Sequence, residues 1–326
     1  MTTQQDQLLL EHYRDLIGPT PVVQLDRISP QPGPTFFAKL EFLLPGGTSS
    51  DRAIDYLIRN AEKEGSLRTG SAVVLPTDGT TAPGAAILSR ARGYEFIAVM
   101  PESTPKGFVE HTRLLGGEVV FSPEHDHIRG AIALAKELIN ENPGKRVLIN
   151  LYENSANAEI HKKTTGQEII HVLGKNIDAL VVGIHSGGTI AGCTGALKAV
   201  NSRCKVVAVE PAESNVLSGG KPRPHNLHGL GLPAVPPFLN QAPIDEVVKV
   251  TVEAAEDGRS VLAEKEGILV GPAGGAVIAA MLEVCEKMGP DQDIVGILNV
   301  PGHYYLARPE PEEEEERSEE EAAPVS

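Results

Sequence analysis

The 326-residue sequence contains no apolar run that approaches the roughly 20 residues a helix needs to cross a bilayer. Its polar start, MTTQQDQ, lacks the charged and then apolar pattern of a secretory signal. These absences predict a water-soluble protein that contacts no membrane and is located in the cytoplasm. With 41% hydrophobic residues the chain can bury a sizeable core, and its length favours two domains around one cleft.

Cysteine is scarce as well. Cys193, Cys204 and Cys285 are odd in number and show neither a C-x-x-C motif nor the His/Cys spacing of zinc ligands. The sequence therefore predicts neither a disulfide framework nor a metal site. We expect all three cysteines to be small buried side chains.

A large part of the formal net charge of −15 lies in the segment RPEPEEEEERSEEEAAPVS, which begins at Arg308. Like charges without apolar periodicity cannot offset the entropy cost of ordering, so residues 309–326 are predicted to be a disordered acidic tail. The rest of the chain is only mildly acidic and has no basic stripe with interleaved aromatic residues. We therefore do not expect nucleic acid as a partner.

Short β-branched runs alternate with longer helical patterns: SAVVLPT precedes APGAAILSRARG, EFIAVMP precedes KGFVEHTRLLG, and ALVVGIH precedes TIAGCTGALKAV. Repeated strand–helix units predict an α/β fold whose parallel sheets are covered by helices on both faces. Ligands of such folds bind beyond the carboxyl ends of the strands, where glycine-rich turns lead into helices. Four turns of this kind are candidates, at residues 45–51, 77–84, 185–189 and 271–276.

The turn in VVGIHSGGTIAG is the most informative of the four, because a buried strand runs through Ser186, Gly187, Gly188 and Thr189 directly into a helix. Glycines allow a close approach of the backbone, the helix N-terminus carries partial positive charge, and two hydroxyls can donate hydrogen bonds. This combination suits a phosphate monoester and predicts a phosphate-binding loop. The alternative is that the glycine pair only allows tight packing.

Long segments surround these turns, among them FAKLEFLLPGG, VMPESTPKGFVEHTRLLGG, NLYENSANAEIHKKTTGQEI, VEPAESNVLSGGKPRPHNLHGLGLP and EGILVGPAGGA. In this order, from Gly18 to Leu306, the chain resembles the O-acetylserine sulfhydrylase (cysteine synthase) and cystathionine β-synthase family. The resemblance implies the fold type II pyridoxal-phosphate (PLP) architecture, like that of tryptophan synthase β: two doubly wound αβα domains with a central cleft. It places residues 1–40 and 150–308 in the larger domain and residues 41–149 in a smaller mobile domain.

Ser50 is the main departure from the family. In the family, the segment corresponding to GGTSSDR carries a lysine at this position, which binds PLP as an imine and later acts on the substrate's α-carbon. A serine alcohol does neither. Lys39 belongs to the preceding strand and Lys221 to a distant loop, so a lysine that has migrated to this role has little support. We expect no covalently bound cofactor, while noncovalent PLP or another phosphate-bearing ligand can occupy the loop.

Two further contacts of the family are altered. The family's asparagine loop, Thr-Ser-Gly-Asn-Thr-Gly, corresponds here to TDGTTA, which puts Thr80 at the position that contacts the cofactor's 3'-oxygen and Asp78 beside the substrate carboxylate. Ala273 stands where the family usually places a serine against the pyridine nitrogen. A lysine removed by mutation explains only the change at Ser50. Natural divergence from PLP chemistry explains all three changes.

The position of Asp78 allows two interpretations. Facing the cleft, it repels an amino-acid carboxylate and becomes a candidate base or a clamp for a cationic group. Facing away, it caps the following helix. His185, where the family often has glycine, is either a proton-transfer group beside the anion or a packing residue that narrows the cleft.

The sequence thus predicts a set of site residues of three kinds. The candidate catalytic residues are Ser50, Asp78, Thr80 and His185. The candidate cofactor-binding residues are Ser186, Gly187, Gly188, Thr189 and Ala273. The candidate substrate-binding residues are Thr48, Ser49, Thr77, Gly79, Thr81 and Gly229.

Three functions are consistent with this pattern. The first is a cysteine synthase-like protein whose cleft is repurposed for PLP-independent chemistry on, or binding of, a small anionic or phosphorylated metabolite, as a lyase or transferase if it is an enzyme. The second is a noncatalytic pseudoenzyme that acts as a regulator or partner, since cysteine synthases bind a peptide of serine acetyltransferase in the cleft. The third is a PLP-dependent β-replacement enzyme whose lysine was mutated. The resemblance also implies a homodimer.

Overall fold

The computed structural model describes residues 12–305. Within this range no helix combines the length and the apolar character needed to span a membrane. The predicted acidic tail at residues 309–326 lies outside the described part of the chain.

Two β-sheets organise the described residues. Their strands are β1 (Val22–Gln24), β2 (Thr35–Leu40), β3 (Ala72–Pro76), β4 (Glu95–Pro101), β5 (Glu118–Ser122), β6 (Arg146–Leu148), β7 (Ala179–Gly183), β8 (Lys205–Pro211), β9 (Glu246–Val250) and β10 (Asp293–Leu298). One sheet has six strands in the order β1-β2-β10-β7-β8-β9, and the other has four in the order β5-β4-β3-β6. β1 pairs antiparallel with β2, while the other strand pairs of residues 12–305 are parallel.

Helices connect the parallel strands. They are α1 (Ser50–Lys63), α2 (Ala82–Arg90), α3 (Lys106–Leu114), α4 (His127–Glu141), α5 (Ala156–Lys163), α6 (Thr165–Leu173), α7 (Gly188–Val200), α8 (Val252–Glu266) and α9 (Pro272–Cys285). Parallel strands need such crossovers because the end of one strand and the start of the next lie at opposite edges of the sheet.

Both faces of the six-stranded sheet are covered. Val181 and Val207 lie in one apolar cluster with the residues of α8 and α9. Their neighbours Leu180, Val182 and Val206 point to the opposite face, where they lie in a second cluster with residues of α6 and α7. Successive strand residues point to opposite faces, so a strand covered on both sides must be apolar throughout, which explains the continuous runs in the sequence.

The four-stranded sheet follows the same rule. Val73 and Leu75 pack with residues of α1 and α2, whereas Val74 and Ile97 pack with residues of α4. The predicted α/β fold, with two doubly wound αβα units, is therefore confirmed. The strands of the smaller sheet all lie between residues 72 and 148. The domain boundaries at residues 40 and 150 stay a prediction.

Two local expectations were wrong. The segment GPAGGA is predicted to be a turn, but α9 already begins at Pro272, because proline is well tolerated at the first helical position. Cys193 and Cys204 are buried as expected, whereas Cys285, at the end of α9, is partly exposed.

A buried ion cluster joins α1 to the larger domain. The guanidinium of Arg52 donates to both carboxylate oxygens of Glu41, at 2.8 and 2.9 Å, and to both of Glu168, at 2.6 and 2.8 Å. Lys39 Nζ donates to Glu168 and to the carbonyl of Thr20, each at 2.6 Å. Two cations and two carboxylates thus balance each other, which is the condition under which buried charges are tolerated.

Candidate functional site

The cleft between the two sheets contains a cavity at the carboxyl ends of β2, β3, β7 and β10, which we call the inner cavity. Its wall is formed by Thr48, Ser49, Ser50, Thr80, Thr81, Gly183, His185, Ser186, Gly187, Thr189, Ile190, Gly229, Asn299 and Val300. This is the position at which doubly wound folds bind their ligands. Most of the predicted site residues are brought together here.

The predicted phosphate-binding loop leads from β7 to α7. Gly187 adopts a positive φ of 83°, which favours glycine, and turns the chain into the helix. At Gly188 a Cβ atom would lie 2.0 Å from Oδ1 of Asn157, so this position has room only for glycine. The amide of Asn157 then donates to the hydroxyl of Ser186 at 2.9 Å and to the carbonyl of Leu151 at 2.8 Å. The loop is therefore held in a fixed shape by the chain beneath it.

Groups of the loop and of the chain beside it suit an anion. The first N–H groups of α7 have no partner within the helix and carry the partial positive charge of its dipole. Thr189 lines the cavity, and its hydroxyl lies 3.0 Å from that of Ser49. The backbone of Ser49 is fixed in turn, since its N–H donates to Asn299 Oδ1 at 2.8 Å. Thr48 Oγ1 is buried and has no hydrogen-bond partner among the described residues.

His161 supports the loop from behind and was not among the predicted residues. Its Nδ1 lies 3.0 Å from Thr165 Oγ1, and its Nε2 lies 3.4 Å from Thr189 Oγ1. Burial, together with the nearby charge of Arg52, lowers the pKa of His161 to about 3. The imidazole is therefore neutral at physiological pH, and it adds no charge to the anion site.

The residues of the cavity fit a phosphate group but not a covalently held PLP. Ser50, the first residue of α1, lines the inner cavity, and its wall contains no lysine among residues 12–305. The ammonium of Lys39 is fully buried in the ion cluster, and Lys221 lies exposed on a loop. An imine needs an amine within reach of the aldehyde. The polar groups of this wall are hydroxyls, backbone groups, the imidazole of His185 and the amide of Asn299, and none of them forms an imine.

The loop at residues 77–81 faces the inner cavity from the smaller sheet. Its base is rigid, because Thr77 Oγ1 accepts hydrogen bonds from Gly79 N at 2.9 Å and from Thr81 Oγ1 at 2.7 Å. Thr77 is fully buried, and neither Thr77 nor Gly79 forms part of the cavity wall. Thr80 and Thr81 do line it. Two of the predicted substrate-binding residues therefore shape the loop without facing its cavity.

Asp78 bridges the two domains. Its Oδ1 accepts hydrogen bonds from the N–H of Thr80 at 3.0 Å and from the Thr80 hydroxyl at 2.6 Å. Its Oδ2 accepts one from the N–H of Gly229 at 2.9 Å. The alternative in which Asp78 caps the following helix is wrong. The N-cap residue of α2 is Thr81, and no side chain forms a capping hydrogen bond there.

The Asp78 carboxylate is strongly stabilised in its charged form. Burial alone would raise its pKa, but the charge and hydrogen bond of His185 and the donors on Thr80 and Gly229 outweigh burial. Together they hold the pKa of Asp78 well below its usual range. Asp78 therefore carries a negative charge throughout the physiological pH range.

His185 contacts both Asp78 and Tyr152. Its Nε2 lies 2.7 Å from the hydroxyl of Tyr152 and 3.5 Å from Asp78 Oδ1. Burial, and then the charge of Asp78, raise the pKa of Tyr152 well above its ordinary value, so the phenol stays protonated. Sequence reasoning missed Tyr152, whose one signal is its place in the family segment NLYENSAN.

A second cavity of about 230 Å³, which we call the outer cavity, continues the cleft beyond Asp78 and shares His185 with the inner one. Its wall carries five histidines, namely His125, His127, His185, His225 and His228. Burial lowers the pKa of His225 to about 4, so its ring is neutral near pH 7. In the described part of the chain no group of His, Cys, Asp and Glu is arranged to hold a metal ion.

Ala273 lies behind the inner cavity and is not part of its wall. It is buried in the core of the larger domain with 4% exposure. A Cβ atom at Gly229 would lie 3.2 Å from that of Ala273, and Gly229 adopts a positive φ of 86°. The structure therefore places Ala273 against the backbone of Gly229, which separates it from the cavity.

Two doubly wound domains, with the glycine turn at residues 186–189 on one side of the cleft and the loop at residues 77–81 on the other, are the fold type II architecture of PLP enzymes. Comparisons with known proteins agree. A family model described as pyridoxal-phosphate dependent enzyme matches residues 13–299. The chain is 40% identical over 302 residues to a probable cysteine synthase of Bacillus subtilis (strain 168), covering 92% of this chain and 97% of that protein.

Solved structures give the same result. An O-acetylserine dependent cystathionine β-synthase from Helicobacter pylori superposes with a TM-score of 0.87 and 32% identity, covering 93% of this chain and 99% of that one. A lysine-to-alanine mutant of O-ureido-L-serine synthase with bound O-ureido-L-serine also superposes with a TM-score of 0.87 and 32% identity. The match covers 91% of this chain and 92% of that one. The chain therefore belongs to the cysteine synthase family of pyridoxal-phosphate dependent enzymes.

Proposed function

We propose that this protein binds a small phosphate-bearing ligand noncovalently in the inner cavity and does not perform PLP-dependent β-replacement. One observation carries the proposal: the cavity keeps the phosphate-binding loop, while Ser50 stands on its wall where the family resemblance places the lysine. Noncovalent PLP is one ligand that meets this description. Another phosphorylated or anionic metabolite meets it equally well.

The composition of the wall favours a cleft that binds a ligand over one that has lost its ligand site. Beside the phosphate-binding loop the wall consists mainly of hydroxyl, amide and glycine residues, with Ile190 and Val300 as its aliphatic members. Thr48 Oγ1 adds a buried polar atom without a partner in the described chain, which costs free energy unless a ligand or water contacts it. Large apolar side chains filling the cavity would instead have supported the pseudoenzyme alternative.

A solved relative with one lysine replaced supports the proposal. The lysine-to-alanine mutant of O-ureido-L-serine synthase is described with O-ureido-L-serine bound. By analogy, the present chain can hold a small ligand in the cleft without a covalent anchor.

In this proposal His185 is the group that moves protons. It lines both cavities, and histidine is the side chain best suited to proton transfer near neutral pH. The hydroxyl of Tyr152 and the carboxylate of Asp78 fix the orientation of its ring. Ser50 and Thr80 add hydroxyls on the same wall. If the protein is an enzyme, this set suits a PLP-independent lyase or transferase.

The test is the absorption spectrum of the purified protein after incubation with PLP, followed by borohydride reduction and intact-mass analysis. We expect saturable binding by calorimetry without a covalent mass increase. A reduced covalent adduct on the natural sequence would show that another lysine has replaced Ser50, and PLP-dependent chemistry would then be the correct interpretation. If neither PLP nor inorganic phosphate binds, the proposal is overturned.

The homodimer and a peptide or protein partner at the cleft are further predictions, which follow from the family resemblance. Analytical ultracentrifugation tests the first directly. For the second, the present structure adds a constraint, since Asp78 already joins the two sides of the cleft between the inner and outer cavities. A peptide would have to enter through the outer cavity.

A further inference from the structure

The Asp78 carboxylate accepts two hydrogen bonds from its own loop at residues 77–81 and a third from the opposite side of the cleft. Asp78 Oδ1 accepts from both the N–H and the hydroxyl of Thr80, while Oδ2 accepts from the N–H of Gly229 across the cleft. These three donors are therefore satisfied inside the protein. A carboxylate of a ligand placed at the same loop would find them occupied.

The negative charge of Asp78 also lies next to the ligand site. Three residues that contact Asp78, namely Thr80, His185 and Gly229, form part of the inner-cavity wall. The Asp78 side chain is 19% exposed and lies on the wall of the outer cavity. A ligand whose phosphate occupies the loop at residues 186–189 therefore shares its cavity with three residues that contact this carboxylate.

Other charged residues line the outer cavity together with Asp78. Arg129 and Arg223 lie on that wall, together with Glu124 and Asp126. Asp126 is paired with His125 at 3.2 Å. Asp78 is the acidic residue of this wall with hydrogen bonds to the inner-cavity residues Thr80 and Gly229.

We infer that Asp78 is a built-in carboxylate that occupies the donors at the loop of residues 77–81, and that it makes the cleft select phosphate esters bearing an ammonium or another hydrogen-bond donor over those bearing a carboxylate. This inference rests on the proposed function, because it assumes a phosphate at residues 186–189. It adds the substrate class: a small phosphorylated amine or alcohol, with no carboxylate next to the loop. A like charge within about 7 Å at an effective dielectric near 20 lowers affinity by more than about tenfold.

The experiment compares two ligands that differ by one carboxylate. O-phosphoethanolamine and O-phospho-L-serine are titrated separately into the natural protein by calorimetry. We expect O-phosphoethanolamine to bind at least about tenfold more tightly. A second pair, glycerol 3-phosphate and 3-phosphoglycerate, repeats the comparison without an amine. Glycerol 3-phosphate, which lacks the carboxylate, should bind more tightly.

Variants then assign the selectivity to its residue. Asp78→Asn keeps the size of the side chain and removes its charge, and Asp78→Ser introduces the residue that the family has. In both we expect the preference to fall below about threefold, with O-phospho-L-serine gaining affinity. Glu124→Gln is the matched control, since it removes one negative charge from the outer-cavity wall without touching the loop, and it should leave the preference unchanged.

The outcomes separate the two proposals. If no phosphate ester and no inorganic phosphate binds the natural protein, the proposed function fails, and this inference fails with it. If both esters of a pair bind the natural protein equally well, the phosphate site stands and the role of Asp78 is overturned. That comparison needs no variant, so it remains decisive even where Asp78→Asn or Asp78→Ser does not fold. Equal loss of preference in Glu124→Gln would also overturn the role of Asp78.

Discussion

The hydroxyl oxygens of Ser49 and Thr189 lie 3.0 Å apart, although 140 residues separate them in the chain. Ser49 precedes α1, and Thr189 belongs to the first turn of α7. The two segments therefore meet directly at the wall of the inner cavity. The position beside Ser49, which is Ser50, is thereby held next to the phosphate-binding loop.

Replacing the Thr189 hydroxyl should weaken phosphate binding. In Thr189→Val one donor to the anion is lost, which corresponds to about a tenfold weaker affinity for inorganic phosphate or PLP. Calorimetry measures the change. Thr194→Val on the same helix is the control, because Thr194 Oγ1 is buried and has no partner in the described chain, so its removal should leave affinity unchanged. Equal binding by Thr189→Val and the natural protein would place the phosphate elsewhere.

Introducing an amine at the cavity wall should allow covalent capture of PLP. In Ser50→Lys, we expect a mass increase after borohydride reduction that the natural protein does not show, because an amine can form an imine with the aldehyde. We expect no β-replacement activity, since Asp78 and Thr80 remain unchanged. Ser50→Arg, which adds the same charge but forms no imine, should remain unmodified. An adduct in Ser50→Arg would locate the reactive amine at a different residue.

The ion cluster around Arg52 should dominate the stability of α1. In Arg52→Met the carboxylates of Glu41 and Glu168 lose their main partner in a buried place, so the free energy of unfolding should fall by about 3–5 kcal/mol. Urea titration followed by circular dichroism measures it. The control is Arg59→Met on the same helix: its partner is Asp55, its side chain is 56% exposed, and the cost should stay below about 1 kcal/mol. Similar costs in the two variants would contradict a structural role for the cluster.

Asp51 should make stability fall as the pH rises. Burial raises the pKa of Asp51 to about 7 from 3.8, and the hydrogen bond from Gly46 N offsets this only in part. The stabilising contribution of the protonated form is therefore complete below pH 3.8 and is lost as the pH rises through about 7.

The measurement compares the natural protein with Asp51→Asn, which cannot ionise. Between pH 4 and pH 8 the natural protein should lose about 4 kcal/mol of unfolding free energy relative to the variant. His161 and His225 have lowered pKa values of about 3 and about 4, so their contributions run in the opposite direction, but they are common to both proteins and cancel in the difference. A difference that does not change with pH would show that Asp51 is ionised throughout.

Much of the fold follows from local patterns in the sequence. The continuous apolar run AVVLP predicts a buried strand, and it is β3; the glycine pair before TIAGCTGALKAV predicts a helix start, and α7 begins at Gly188. These features depend on residues close together in the chain, whose periodicity decides the element.

The partners of the site residues could not be predicted in this way. Asp78 bonds to Gly229, and Tyr152 contacts His185, through tertiary packing that brings distant segments together. His161 reaches the phosphate-binding loop only because α5 packs closely on α7: a Cβ atom at Gly192 would lie 2.6 Å from the Cβ of His161. No glycine-rich turn marks either Tyr152 or His161, so their segments gave no local signal for a site.

Ser50 and Arg52 stand two positions apart at the start of α1, so their side chains leave the helix about 200° apart. One lines the cavity, and the other anchors the ion cluster. On our proposal, selection for a folded chain therefore acts on Arg52, while selection for a reaction acts on Ser50. Evolution can replace the residue at position 50 and keep Arg52, and the inherited fold then remains available for a different ligand.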